Sequence, residues 1–380
     1  MNTADIRNFF PFLQSGQIYL NHAATSPMSA SVHDMLQGYI GSTYKGNIDA
    51  FMEIVKTFHE TRDMASRFIG TTTDRIAFHQ NTSEGLNLIA SGYPWQRGDR
   101  VVLVEKEFPA NVYPFLHLKR LGVEVDFAPQ RNGAIDLNDI EQLLTPRTRM
   151  VSVSWVQYLS GFRIDLQALG ELCRSKGIVL CVDAIQGLGA LRMNAGDLPI
   201  DFLSAGVQKW QMGTHGLSVT YITEELQERL QQQYAGWFSV KEPFEFVDYN
   251  LEFQSAAARY EYGTLNTMGM YAYNGALKLF LEVGLDEVER RVLALADHAY
   301  ELVRQSGYEI LTPSDASQRA GIVTFKADDA EAVQSELANR NITVSARVGH
   351  VRMSPHFYNT EEEIALAVDA VNEIAKTRSS

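Results

Sequence analysis

Cysteine is scarce in this sequence, with only Cys173 and Cys181 among 380 residues. A disulfide framework is thereby excluded. Cys173 falls in a helical pattern and Cys181 in an apolar run, so both read as core thiols. Positive charge is also in deficit: the formal net charge of −13 argues against binding nucleic acid or an anionic membrane surface. No basic segment followed by an apolar core opens the chain, and no apolar run approaches the length of a membrane span, so a cytoplasmic location is expected. The sequons at Asn81 and Asn341 are then chance matches. The histidines are dispersed and neither cysteine has a partner at ligand spacing, which leaves no metal centre to expect. There is no Gly-x-Ser-x-Gly elbow. Gly187-Leu-Gly189-Ala-Leu-Arg192 lacks the third glycine of a dinucleotide fingerprint.

What remains is an ordinary globular composition, 45% hydrophobic and 21% charged, sufficient for a large core. From Arg75 onward, apolar runs alternate with helical patterns. Strands are expected at Arg75–Phe78, Val101–Val104, Val123–Phe127, Met150–Trp155, 178–183, Phe202–Ala205 and Leu217–Ile222. Helices are expected at Ala50–Ile69, Ser83–Ser91, Asn111–Leu121, Leu137–Leu144 and Asp165–Ser175. Such alternation implies an α/β fold with a mostly parallel sheet sheathed in helices. A long helical stretch from Asn266 to about Gln305, broken near Gly284, leads into a mixed region. There, strands are expected at Tyr308–Leu311, Ile322–Phe325, Ile342–Ser345 and His350–Ser354, and helices at Ala330–Asn339 and Glu361–Lys376. The last helix opens on a capping box, Thr360-Glu-Glu-Glu363. We therefore expect a large domain over 18–279 and a smaller α+β domain made of 1–17 and 280–380.

Two stretches carry the chemistry. Gly177-Ile-Val-Leu-Cys-Val-Asp183 reads as a buried parallel strand that delivers a carboxylate to its carboxyl end, where ligands of open α/β sheets sit. Asp201-Phe-Leu-Ser-Ala-Gly-Val-Gln-Lys209-Trp-Gln-Met reads as the next strand running into a turn with one lysine at its mouth. Beside Trp210 and Met212 that lysine is either a snorkelling surface residue or a desolvated amine able to attack a carbonyl. A carboxylate and a lysine at neighbouring strand ends can face one ligand from two sides. Pyridoxal phosphate needs that pair, an acid to keep its pyridine nitrogen protonated and a lysine to hold its aldehyde as a Schiff base.

Supporting features surround them. Asn81-Thr82-Ser83-Glu84-Gly85 follows a strand and opens a helix, where backbone N–H groups and two hydroxyls suit a phosphate or simply cap the helix. Asn21 and His22, in Tyr19-Leu-Asn-His-Ala-Ala, could reach a ligand. In Ser345-Ala-Arg347-Val-Gly-His-Val-Arg352-Met-Ser, two arginines lie on adjoining strand segments, and an arginine fork matches a substrate carboxylate.

With these motifs in order, the chain resembles the class V aminotransferase family of fold type I pyridoxal-phosphate enzymes, the group of cysteine desulfurases, cysteine lyases and isopenicillin N epimerase-like proteins. The resemblance runs from Tyr19-Leu-Asn-His-Ala-Ala to His356-Phe-Tyr-Asn-Thr-Glu-Glu-Glu-Ile. It implies pyridoxal 5′-phosphate as cofactor, with Lys209, Asp183 and Arg352 catalytic. Gln186 is implied at the ring's phenolic oxygen, and Thr82, Ser83 and Gln208 at the phosphate. Phe108 or Pro109 would stack on the ring, and Gln157 or Tyr158 would face it. Asn21, His22, Arg347 and Arg352 are implied around an amino-acid substrate. Thr264, in Arg259-Tyr-Glu-Tyr-Gly-Thr-Leu-Asn, would contact the phosphate in the partner subunit of a homodimer with shared sites. The desulfurases carry a nucleophilic cysteine on a loop between the segments matching Arg347-Val-Gly and Val351-Arg-Met-Ser, whereas here only His350 separates them. The resemblance therefore implies an aminotransferase or a cysteine- or cystine-type β-lyase rather than a persulfide-forming desulfurase. An epimerase and a cofactor-binding protein without catalysis are the alternatives.

Overall fold

The apolar runs form, in a computed structural model that describes residues 1–379, one seven-stranded sheet. Its strands are β1 (Ile76–His79), β2 (Arg100–Val104), β3 (Glu124–Ala128), β4 (Thr148–Ser154), β5 (Val179–Asp183), β6 (Phe202–Gly206) and β7 (Ser218–Ile222). They lie in the order β1-β7-β6-β5-β4-β2-β3. The β2–β3, β2–β4, β4–β5 and β5–β6 pairs are parallel, and β7 runs against both of its neighbours. Strands β5, β6 and β7 are buried along their whole length, which is why they read as unbroken apolar runs rather than alternating ones. The parallel register sets Ser154 beside Asp183 and Asp183 beside Ser204. Three carboxyl ends thus meet along one edge of the sheet, and the site is built there.

The long helical stretch forms two helices, Thr267–Val283 and Leu285–Gln305. They part at Gly284, whose φ of 91° is one that a side chain at Cβ would disfavour. The first packs on helices Ala30–Tyr44 and Phe51–Ile69, and the second on the terminal helix Glu361–Ser379. The terminal helix is capped as expected: Glu363 N–H donates to Thr360 Oγ1 at 3.3 Å and Thr360 N–H to Glu363 Oε2 at 3.2 Å. Beneath it lies a three-stranded antiparallel sheet with His350–Met353 in the middle, between Val323–Lys326 and Ser345–Arg347. The amino-terminal arm packs on this part of the molecule. Arg7 Nη2 donates to Glu363 at 2.7 Å, Phe10 stacks on Tyr358 at 4.1 Å, and Ile18–Tyr19 pairs in parallel with Ile342–Thr343.

Several elements differ from the sequence reading. The helix expected over Asn111–Leu121 is broken into a helical turn at Tyr113–Leu116 flanked by 3₁₀ turns at Pro109–Asn111 and His117–Leu121; Pro114 has no N–H to give a continuous helix. The strand expected at Tyr308–Leu311 is reduced to the bridge of Ile310 with Phe325, because Leu311 and Thr312 both donate to the Thr324 carbonyl and break the ladder. The strand expected at Ile342–Ser345 is divided between two sheets, Ile342–Thr343 in one and Ser345–Arg347 in the other. Helix Ala30–Tyr44, capped by Ser29, was not expected at all. Gly38, Gly41 and its polar residues weaken both propensity and pattern.

Candidate active site

Asp183 ends β5 and is 1% exposed. Its Oδ1 accepts the Ile185 N–H at 3.0 Å, which fixes the carboxylate in the mouth of the sheet. Burial, reinforced by the charge of Glu107, pushes its carboxyl up to about 7. Lys209 follows β6 in a turn held from two sides: Met212, at φ 55°, donates to the Lys209 carbonyl at 3.0 Å, and Ser26 Oγ donates to the same carbonyl at 2.6 Å. Burial lowers the lysine to about 8; Asp183 opposes that fall, and the positive charges of Arg352 and Arg347 assist it. A desolvated amine that titrates near neutrality is a competent nucleophile and proton carrier. The Phe108 ring lies 5.6 Å from Lys209 Nζ, with Tyr158 edge-on to it at 5.5 Å.

Beside this pair opens helix Thr82–Gly92. Asn81 caps it, accepting the Glu84 N–H at 3.0 Å. Thr82 Oγ1 accepts the Gly206 N–H at 2.8 Å, which leaves its own proton free to donate. A Cβ on Gly206 would stand 2.5 Å from Gln208 Oε1 and 3.2 Å from Thr82 Oγ1, so a side chain there would displace the glutamine amide from this corner. Ser83 is half-buried in the first turn, and Gln208 is half-buried beside the lysine. Hydroxyls, an amide and a helix amino terminus form a donor set for an anion.

Arg352 lies on the middle strand of the small sheet, 2% exposed. Its Nη1 donates to the Tyr158 carbonyl at 2.6 Å, and its Nε is buried with no partner. No acidic side chain pairs with it among the described residues. Burial, with Arg347 adding, lowers it to about 10, so at neutral pH it remains a buried cation without a counter-ion. Such a group is costly unless a ligand completes it. Arg347 is exposed at the mouth, opposite His350 across the hairpin.

Other expected residues are placed away from the pocket or are already engaged. Gln157 is buried, donating to Glu107 Oε1 at 2.9 Å and accepting from Gln130 at 3.1 Å, whereas Tyr158 faces Phe108. Gln186 donates to the Ala23 carbonyl at 3.0 Å and accepts the Trp210 Nε1–H at 2.8 Å, bracing the lysine turn. Asn21 Oδ1 accepts from Ser345 Oγ at 2.9 Å. His22 is fully buried, its Nδ1 2.9 Å from the Ser354 carbonyl and its Nε2 2.8 Å from Tyr358 Oη. Burial lowers its pKa to about 3, so it is a neutral tie in the core. Thr264 is exposed on the rim of a separate cavity of about 400 Å³ with His79, Glu84 and Tyr262. The sequence reading missed Glu107, which sits directly behind Phe108. An acid bordering an apolar strand end, next to the candidate stacking residue Phe108, was the available signal.

The chain has counterparts among known proteins. The "Uncharacterized aminotransferase YcbU" of Bacillus subtilis is 26% identical over 96% of this chain and 96% of its own length. A "Probable cysteine desulfurase" of Methanothermobacter thermautotrophicus is 26% identical over 99% and 98%. Among solved structures, the apo cysteine desulfurase of Thermococcus onnurineus NA1 superposes with a TM-score of 0.90 at 26% identity, over 98% of each chain. The profile described as "Aminotransferase class-V" matches residues 18–366, and the chain belongs to that family of fold type I, pyridoxal-phosphate-dependent enzymes.

Proposed function

We propose that this chain holds pyridoxal 5′-phosphate at Lys209 and acts at Cα and Cβ of an amino acid, as an aminotransferase or a carbon–sulfur lyase that forms no persulfide on itself. The observation that carries this reading is Arg352, a buried guanidinium with an unpartnered Nε and no acidic partner among the described residues, set beside a desolvated lysine. An α-carboxylate supplies the missing charge and acceptor. The residues present fit the cofactor: Asp183 for the ring nitrogen, Lys209 for the aldehyde carbon, Thr82, Ser83 and Gln208 for the phosphate, and Phe108 over the ring. When bound, the cofactor takes up the electron pair left at the substrate's Cα.

The protein's own groups do the rest. Arg352 orients the substrate carboxylate, and its anchor on the Tyr158 carbonyl fixes the direction of approach. Lys209 would remove and return the Cα proton, for which a pKa near 8 is well matched. Asp183 holds a proton on the ring-nitrogen side. Phe108 and Tyr158 flank the lysine on one side.

Two features support the exclusion of a protein-bound persulfide. The strands Ser345–Arg347 and His350–Met353 are joined by Val348 and Gly349 at φ 50° and 72°, a two-residue hairpin turn with no room for a thiol-bearing loop. Both cysteines are buried core thiols, which burial raises to about 12. We also read the enzyme as a homodimer. Support for this comes from exposed Thr264 and from the apolar segment in which Phe246, Val247, Tyr249 and Leu251 are each more than two-thirds exposed, more than a monomer surface ordinarily carries in one patch. No helix of the described residues is long and apolar enough to cross a membrane.

The test is direct. Purified protein given pyridoxal phosphate becomes yellow, and borohydride fixes the cofactor on the peptide containing Lys209. A panel of amino acids then yields either pyridoxamine phosphate, for transfer, or pyruvate with ammonia or sulfide, for lysis. Protein that takes up no pyridoxal phosphate would end the reading.

A further inference from the structure

Glu107 is 7% exposed and is hydrogen-bonded to Ser154, Gln157 and Phe108, three residues that border the site. Its Oε1 accepts the Ser154 N–H at 2.7 Å and Gln157 Nε2 at 2.9 Å. Its Oε2 accepts the Ser154 hydroxyl at 2.6 Å and the Phe108 N–H at 3.2 Å. Four donors saturate a carboxylate and leave no position for a proton-donating role. These donors come from three elements. Ser154 ends β4 directly beside Asp183 in the sheet, Gln157 precedes the Tyr158 carbonyl that anchors Arg352, and Phe108 lies over Lys209. Burial raises the Glu107 carboxyl above the usual carboxylate range, and the hydrogen bonds from Ser154, Gln157 and Phe108 oppose that rise; with every lone pair met by a donor, the geometry fits the carboxylate form, next to the strand end carrying Asp183.

We propose that Glu107 is a positioning residue, a second buried carboxylate that acts through Asp183 to hold positive charge on the bound cofactor while its hydrogen bonds aim Phe108 and the 157–158 loop. The inference rests on the reading that Asp183 faces the cofactor's ring nitrogen. Each charged group around it has a defined sign. The carboxyl groups of Asp183 on β5 and of Glu107 are negative when ionised, Lys209 faces Asp183 from the turn after β6, and Arg352 and Arg347 face Lys209 from the hairpin. Without Glu107, one carboxylate stands against these cations instead of two. The protonated form of the lysine-bound cofactor is then less favoured, so its titration midpoint falls.

The experiment uses holoenzyme and follows the visible absorbance of the lysine-bound cofactor against pH, with no substrate present. Glu107→Gln lowers the midpoint by about one pH unit, while Glu107→Asp, which keeps the charge, stays closer to the wild type. A residue that merely braces the loop would disturb both variants alike and shift neither midpoint. Should Glu107→Gln fail to fold, Ser154→Ala is read in its place. Loss of the 2.6 Å donor makes the anion less favourable, and the midpoint moves down by less. A midpoint unmoved in the folded variants, with wild type titrating normally, overturns this inference alone. Wild-type protein that takes up no pyridoxal phosphate overturns it together with the reading of the site.

Discussion

Arg352 donates through Nη1 to the carbonyl of Tyr158 at 2.6 Å and keeps its Nε unpartnered in the same buried space. One side of the guanidinium is thus fixed to the protein and the other is left for a ligand. The link also joins the small antiparallel sheet to the loop after β4, so the placements of Arg352 and Tyr158 are coupled.

Arg352→Ala removes the proposed carboxylate fork without touching the cofactor's own partners. We expect kcat/KM to fall by about 30-fold or more, since losing one member of a buried charge pair costs about 2–5 kcal/mol. Cofactor absorbance and borohydride fixation are retained. Arg352→Lys recovers little, because a point charge does not reproduce the fork. Steady-state kinetics with the best amino acid of the panel decides this. Unchanged turnover and KM in the alanine variant would remove Arg352 from the substrate site.

The pKa of Lys209 sets how the cofactor-free protein captures an aldehyde. With the lysine lowered to about 8, the neutral amine builds up through pH 8 rather than near the ordinary lysine value. Stopped-flow uptake of pyridoxal phosphate is therefore expected to accelerate up to about pH 8 and then level off. A rate that keeps climbing through pH 10 would show an ordinary solvated lysine.

Asp183 contributes with the opposite sign. Its folded value, about 7, lies above its unfolded one near 4, so the native state binds the extra proton between those values and loses that advantage as pH rises. At pH 8 the ionised, buried carboxylate is a liability in the cofactor-free protein. Asp183→Asn keeps the Ile185 N–H bond and removes the charge. It is expected to raise the melting temperature of the cofactor-free protein at pH 8, by the equivalent of about 2–4 kcal/mol, while abolishing turnover. At pH 4 the gain disappears. Thermal denaturation at the two pH values checks this, and a variant destabilised at both would refute the assignment of stored electrostatic cost.

The Asp183 and Lys209 strand ends were legible because burial on both sheet faces writes itself into sequence as an apolar run, and the ligand edge of such a sheet follows from topology. The Gly284 break and the terminal capping box were legible for similarly local reasons. By contrast, the ties that engage Gln186 and His22 run to Trp210, Ser354 and Tyr358, partners chosen by tertiary packing and invisible to spacing. The roles of Gln157 and Tyr158 were left open for the same reason. Neighbours in a loop after β4, they are separated by which one meets Glu107, a residue some fifty positions earlier in the chain.

The proposed phosphate cradle depends on a close approach of helix and sheet. Helix Thr82–Gly92 lies against β6 and β7 so closely that a Cβ on Gly85 would stand 2.3 Å from Ser204 Oγ, 2.9 Å from Ser204 Cβ and 3.0 Å from Thr220 Oγ1. Both neighbours are fully buried, so neither can swing aside into solvent, and the helix itself has to move. Gly85→Ala is then expected to cost about 1–3 kcal/mol of stability and to shift the amino terminus of the helix, with Thr82 and Ser83, away from Gly206. The affinity for pyridoxal phosphate falls with it, by about tenfold for each 1.4 kcal/mol of lost anion contact. Pyridoxal without its phosphate serves as the control. If the cradle is a phosphate site, the variant weakens uptake of the phosphate ester much more than uptake of the free aldehyde. Equal losses for both would show that the substitution acts only through folding and that the phosphate is held elsewhere.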